Sequence, residues 1–332
     1  MSKTKFIDLY AGIGGIRLGF ENAFKSDAEF VFSNEIDEHC SDTYYRNFND
    51  DPLGDITKIK PSEITDFDIL LAGFPCQAFS IAGKRKGLDD ARGTHFFNIA
   101  KIIEAKQPTA FLLENVRHFK THDSGRTFKT LKKILTNDLK YTLYTELLNA
   151  KNFGLPQKRE RFYMVGFKNP IHFEFPKPVK FTKTVGDILE ENVPGEYFLS
   201  QRYLDTLKKH RQRHEGKGNG FGYIVLDEKD IANTLVLGGM GRERNLIKDV
   251  KSLKKSGRKD ANSEAIRCLT PRECLRLQGF NDSYKFNVAK THMYKQTANS
   301  VAVPVIKQIA LQMKKSLHEK KPVRYVESFL KN

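Results

Sequence analysis

The stretch FIDLYAGIGGIRLGF, residues 6–20, runs an apolar strand pattern into three closely spaced glycines and then into a helical pattern. Further strand-like runs follow in KFIDLY (5–10), EFVFSN (29–34), FDILLAG (67–73), AFLLEN (110–115) and RFYMVGF (161–167). Helical patterns such as RGTHFFNIAKIIEAKQ (92–107) separate several of them. This alternation constrains the fold more than any other feature: it predicts an α/β domain, a mostly parallel, doubly wound sheet with helices on both faces.

The chain has 332 residues, enough for one large domain and a smaller one. The two prolines of FPKPVK (175–180) mark a boundary. From about Phe181 to Asn287 periodicity fades, glycines crowd into GKGNGFGY and GGMGRERN, and basic residues become dense, as in a loop-rich binding domain. The final stretch, VAVPVIKQIALQMKKSLHEKK, returns to an amphipathic helix that can pack back on the first domain. The expected division is 1–181 plus 288–332 for the first domain and 182–287 for the second.

No apolar run approaches the length of a membrane span, and MSKTK leads straight into the first strand, so a cytoplasmic protein is expected. The four cysteines, Cys40, Cys76, Cys268 and Cys274, form no C-x-x-C pair. His210 and His214 share a helix face but have only Glu215 beside them, which favours a solvated basic helix over zinc; no metal is expected. The charge of +16 is concentrated in LKKHRQRHEGK (207–217) and KDVKSLKKSGRK (248–259), clusters that attract a polyanion.

Gly12, Gly14 and Gly15 lie where the first strand exits and a helix begins. There glycines let a ligand approach the backbone, and free N–H groups favour negative charge. Glu35 follows the second strand, where an acid commonly holds a ribose diol. Asp55 of GDIT is placed to accept from an adenine amino group. These residues fit a dinucleotide oxidoreductase and an S-adenosylmethionine enzyme equally. Cys76 favours the second: it lies on a turn just past the buried run Ile69–Ala72, where a working thiolate belongs and hydride transfer has no use for one.

The motifs DLYAGIGG, NEID, GDIT, GFPCQAFS, LLENV, PQKRERFYMVGF, TPRECLRLQGF and QTANSVAVP occur in the order found in DNA (cytosine-5)-methyltransferases, and the chain resembles that family from Phe6 to Pro304. The resemblance implies a Rossmann-like catalytic domain that binds S-adenosyl-L-methionine, left as S-adenosyl-L-homocysteine, and a smaller target-recognition domain at 182–287. It implies a cofactor site made by Tyr10, Ala11, Gly12, Ile13, Gly14, Gly15, Glu35, Ile36, Asp55, Ile56, Phe74 and Pro75, with Asn299, Ser300 and Val301 returning from the C-terminal part. Tyr10 stands where the family usually has phenylalanine, and Ala298 where it usually has glycine.

The chemistry explains the catalytic set. Carbon 5 of cytosine is a poor nucleophile, and a thiolate adding to carbon 6 makes it enamine-like. Cys76 is the expected nucleophile. Glu114 relieves charge at N3 and so favours a protonated carboxyl; Arg161 bonds the base O2, with Arg159 as its supporting partner. A cytosine inside a duplex must be flipped out first, with the loop 75–93 as a lid. Gln77, Ser80, Lys84 and Arg85 of that loop are expected to touch DNA.

In the recognition region, KGNGFGY and ANTLVLGGMGRERNL resemble enzymes acting on CCGG, CCNGG or CCWGG sites. Thr234, Gly238, Gly239, Arg242 and Arg244 are the expected DNA contacts, the arginines because they can bind guanine bidentately. The resemblance further implies a nucleoid-associated enzyme acting on double-stranded DNA, and protection against a cognate restriction endonuclease; a monomer is expected because one base on one strand is treated at a time. A tRNA methyltransferase on the same fold and a silent DNA-binding regulator are the alternatives. The arginine-containing glycine loop argues against the first, and the unbroken motifs against the second.

Overall fold

Alternate residues of the first strand belong to different cores, and this sets the layering. Ile7 and Leu9 pack in one apolar cluster with Leu70, Ala72, Phe111, Leu113, Phe96, Ile99 and Ile103. Phe6 packs in another, with its ring 5.5, 5.0 and 5.2 Å from those of Phe20, Phe24 and Phe30. Two-residue alternation in a strand sends successive side chains to opposite faces, so the sheet is covered on both.

The computed structural model describes residues 2–75, 95–179, 183–216, 222–236 and 241–322. Cys76, Gln77, Ser80, Lys84, Arg85, Gly238 and Gly239 therefore lie outside the described residues. The chain divides into two compact units. One comprises Met1–Leu148, Glu160–Lys177 and Val305–Asn332; the other Asn149–Arg159 and Pro178–Pro304. The second unit thus takes in Arg159 and Asn299–Val301 as well as residues 182–287.

In chain order the first seven strands are β1 (Thr4–Leu9), β2 (Ala28–Asn34), β3 (Ile69–Gly73), β4 (Ala110–Val116), β5 (Thr142–Asn149), β6 (Gln157–Lys158) and β7 (Glu160–Phe167). All but β6 form one sheet in the order β2-β1-β3-β4-β7-β5. The pairs β1–β2, β1–β3 and β3–β4 are parallel, and β4–β7 is antiparallel. Strand order reverses at β1: the chain moves to β2 on one side and then to β3 on the other. In such sheets ligands bind in the crevice beyond the carboxyl ends of the strands flanking the switch.

Helices α1 (Gly15–Phe24), α2 (Glu38–Phe48), α3 (His95–Lys106) and α4 (Arg126–Lys133) accompany this sheet. In the second unit, β8 (Val225–Leu226), β10 (Leu246–Lys248) and β11 (Ile266–Cys268) form a three-stranded sheet, and β6 pairs with β9 (Ala232–Asn233). Helices α5 (Gln201–Glu215), α6 (Val250–Ser256), α7 (Pro271–Gln278) and α8 (Lys290–Asn299) pack around them. The last helix is α9 (Val303–Glu319), which belongs to the first unit from Val305 on. Gly19 of α1 lies so close to Ile306 that a Cβ there would sit 2.4 Å from its methyl, and Lys314 pairs with Asp27 at 2.7 Å.

Among the described residues, no helix is long and apolar enough to cross a membrane, and no group of three or more His, Cys, Asp or Glu could hold a metal ion.

Candidate active site

At the carboxyl end of β1 the backbone turns through positive φ three times in five residues, at Tyr10 (55°), Gly12 (55°) and Gly14 (74°). Gly14 leaves no alternative: a Cβ there would lie 2.2 Å from the Phe48 ring. Tyr10 adopts a conformation that bulky residues avoid. It is held by its hydroxyl, which donates to the His95 carbonyl at 3.2 Å, and by edge contact of the two rings at 5.1 Å. Burial pushes the phenol up from its ordinary pKa. Ala11 donates to the Asn34 carbonyl (2.9 Å), and Ile13 is buried. Helix α1 then starts at Gly15 with no side-chain cap, which leaves first-turn N–H groups for a ligand.

Glu35 sits just beyond β2. Its Oε2 accepts from Gly12 N–H (2.7 Å), and its Oε1 accepts from the N–H groups of Ile36 (2.9 Å) and Asp37 (2.8 Å). Three of its four lone-pair positions are thereby filled, which leaves one on Oε2 for a hydroxyl. The Glu35 backbone also pairs with the following loop, donating to Pro52 and accepting from Gly54 at 2.7 and 2.9 Å. This brings Asp55 to the same end of the sheet. Hydrogen bonds from the Thr57 hydroxyl and N–H hold the Asp55 carboxyl below its ordinary pKa, so it is an acceptor only. Ile56 is buried, whereas Ile36, beside Glu35, is 66% exposed.

These features fit S-adenosylmethionine: an acceptor left for a ribose hydroxyl, an ionised acceptor for an amino group, an uncovered apolar side chain for a ring face, and glycines where a backbone must be approached.

One strand further, β3–β4 pairing sets Gly73 opposite Glu114, and the antiparallel β4–β7 register sets Val116 opposite Arg161. Arg161 Nε lies 3.2 Å from Glu114 Oε1, with the side chains 15% and 11% exposed. Arg161 also donates to the Glu160 carbonyl at 2.8 Å. Buried Asn115, to which sequence reasoning gave no role, donates to the Phe74 carbonyl (2.9 Å) and accepts from Val116 N–H (2.9 Å). It ties the end of β4 to the turn through Phe74 and Pro75 that leads to Cys76. The E-N-V run was the only sequence signal for it.

The other expected residues fall in the second unit. Arg159 is 2% exposed and donates to the carbonyls of Ala298 (2.9 Å), Ser300 and Leu235 (3.4 Å). Its guanidinium holds backbone from these segments. The Thr234 hydroxyl, expected on DNA, donates to the Lys158 carbonyl. Arg242 and Arg244 are both exposed on one short turn. The first lies over the Tyr294 ring at 5.1 Å, while the carbonyl of the second accepts from Asn233. Among the remaining cysteines, burial pushes Cys268 up to about 11 and Cys274 well above a thiol's ordinary value, and Cys40 is buried. Thiols shifted that way are poor nucleophiles at neutral pH.

The profile described as C-5 cytosine-specific DNA methylase matches residues 4–315. The chain is 51% identical over 315 residues to the Type II methyltransferase M.HpaII of Haemophilus parainfluenzae, covering 92% of this chain and 87% of that one. It is 45% identical to M1.ScrFI of Lactococcus lactis subsp. cremoris over 326 residues, with 96% and 80% covered. Among solved structures, the Entamoeba histolytica methyltransferase EhMeth shares the fold with a TM-score of 0.73 at 19% identity, covering 97% of this chain and all of that one. The chain therefore belongs to the C-5 cytosine-specific DNA methylases and is a DNA (cytosine-5-)-methyltransferase.

Proposed function

We propose that this enzyme methylates one cytosine within a CC…GG-type site of double-stranded DNA, with Cys76 as the nucleophile, and that it acts in the cytoplasm on nucleoid DNA, as a monomer. In this reading it protects that site from a cognate restriction endonuclease. The observation that carries the catalytic part is the Glu114–Arg161 pair, 3.2 Å apart at the ends of β4 and β7, on the strand that Asn115 ties to the Cys76 turn.

A carboxyl and a guanidinium at that spacing can meet adjacent atoms of one ring edge. Arg161 donates to O2 and Glu114 supplies a proton at N3 of a base flipped out of the duplex. Cys76 sulfur then bonds carbon 6, the 5,6 double bond is lost, and electron density reaches carbon 5. When bound, S-adenosylmethionine supplies the methyl group that carbon 5 takes. Loss of the carbon-5 proton re-forms the double bond and expels the Cys76 thiolate, and the N3 proton returns to Glu114. Glu35, Asp55, Ile36 and the turn Tyr10–Gly15 hold the cofactor, with Phe74 and Pro75 beside it and Asn299, Ser300 and Val301 completing the site. Gln77, Ser80, Lys84 and Arg85 contact DNA around the flipped base; Thr234, Gly238, Gly239, Arg242 and Arg244 form the recognition surface.

The test is to incubate purified protein with S-adenosylmethionine and unmethylated genomic DNA, then map protected cytosines by bisulfite sequencing. Protection at one short CC…GG motif is expected. Protection at an unrelated motif contradicts the site assignment, and no protection with the cofactor bound contradicts the activity on duplex DNA.

A further inference from the structure

Among the described residues, the Tyr10 hydroxyl finds its partners on the first turn of α3. Its proton goes to the His95 carbonyl at 3.2 Å, and Nδ1 of the same residue lies 3.2 Å from the hydroxyl oxygen. The side chain of Asn98, three residues on and on the same helix face, hydrogen-bonds the hydroxyl as well. A phenol has one proton to give and two lone pairs to fill. With the proton on the carbonyl, Nδ1 can only donate, which requires the Nδ1–H form of the imidazole, and the Asn98 amide fills the second lone pair. The oxygen is then saturated. The His95 ring also stands edge-on to the Tyr10 ring, at 5.1 Å and 90°. This turn of α3 is itself fixed, because Phe96, Phe97 and Ile99 are buried in the core that Leu70, Ala72 and Phe74 share.

Tyr10 needs such an anchor. Its φ of 55° is one that bulky residues avoid, and a conformation of that kind persists where its surroundings over-determine it. We infer that His95 and Asn98 are positioning residues that hold the Tyr10 ring through its hydroxyl, so that the tightness of cofactor binding depends on the Nδ1–H of His95. This rests on the assignment, made above, of the turn Tyr10–Gly15 to the cofactor. A ring tethered at its hydroxyl end meets the cofactor with its orientation already set, and preorganisation of that kind is read in affinity. A phenylalanine fills the same space but has no bond to the helix.

The experiment measures S-adenosylhomocysteine affinity of the full chain by calorimetry. His95→Asn and His95→Gln separate the two ring nitrogens, since the shorter amide puts an N–H where Nδ1 sits and the longer one where Nε2 sits. Tyr10→Phe should weaken binding about fivefold to tenfold, the scale of one or two hydrogen bonds. His95→Gln should weaken it at least about threefold, whereas His95→Asn should stay within about twofold of wild type. A loosened fold would weaken both His95 variants alike. In the Tyr10→Phe background His95→Gln should cost nothing further, because the bond it removes is already gone. Equal affinity in the Asn and Gln variants, or wild-type affinity in Tyr10→Phe while Tyr10→Ala binds weakly, overturns the inference alone. Wild-type affinity in Tyr10→Ala overturns the assignment of the turn to the cofactor, and this inference with it. Should the His95 variants fail to fold, nitrogen-15 spectra of the wild type decide: the neutral His95 ring should carry its proton on Nδ1, and a proton on Nε2 contradicts the tether.

Discussion

The two units hold their functional residues by different means. In the first, a six-stranded sheet with a core on each face supplies rigid strand ends, and the glycine turn after β1 is fixed largely by backbone conformation and by one carboxylate, Glu35. In the second, the strands are two or three residues long, and its framework includes charge inside the fold. Arg267 is fully buried between Asp249 at 2.9 Å and Glu273 at 2.8 Å. Glu273 closes a capping box with Thr270 at the start of α7 and accepts from Glu190 N–H. Where sheets are too short to fix loop geometry, ion pairs and guanidinium–carbonyl bonds do so, as Arg159 and Arg267 show.

The largest test of this contrast is Arg267→Met. Removing the guanidinium leaves Glu273 and Asp249 without their partner, at a cost of about 3–5 kcal/mol, which thermal unfolding should show as a large loss of stability. A near-neutral effect would mean that apolar packing alone holds the second unit.

The first unit contains its own buried charge, Asp8. Burial pushes this carboxyl from 3.8 up to about 7, against the opposing pull of Arg17 and the hydrogen bond from Tyr44. Because the folded state holds the proton more tightly than the unfolded chain, Asp8 favours folding fully below about pH 4. That contribution is lost as pH rises through 7. Asp8→Asn should therefore gain on the wild type between pH 5 and pH 8 in urea midpoints; a difference independent of pH would contradict the assignment.

Gly14→Ala is the next test. It forces a side chain into positive φ (74°) and against Phe48, at about 1–3 kcal/mol, and should weaken cofactor binding together with stability. Unchanged cofactor affinity would show that the turn is not part of the site. The smallest effect on the fold belongs to Arg242 and Arg244. Arg244→Ala should lower discrimination between cognate and single-mismatch duplexes by about 1–3 kcal/mol without changing stability. Arg242→Ala, losing a guanidinium already stacked on Tyr294, should change discrimination less. Uniform weakening on all sequences by Arg244→Ala would mark a phosphate contact instead.

Much of the first unit was legible because apolar runs report buried parallel strands directly. The five expected runs match β1, β2, β3, β4 and β7 to within two residues at each end. Strand β5 was not read, since most of TLYTELLN is half-buried or exposed and an edge strand need not be continuously apolar. The pairing of Glu114 with Arg161 depends on antiparallel register between strands 44 or more residues apart, which composition does not encode. Least legible were Arg159, Arg267 and Glu273. Charged residues read as surface unless their partners are known, and the partners of Arg159 are main-chain carbonyls that carry no sequence identity.

The most direct test of the central claim, a Cys76 adduct assisted by Glu114 and Arg161, uses a cognate duplex whose target cytosine carries fluorine at carbon 5. After methyl transfer no proton remains there to be lost, so the thiolate cannot be expelled. Mass spectrometry after incubation with S-adenosylmethionine should find the methylated base bonded to the peptide containing Cys76, and Glu114→Gln should slow its formation by about 10²–10⁴-fold. No adduct on a duplex that is bound and cognate, or an adduct at another residue, would contradict the account.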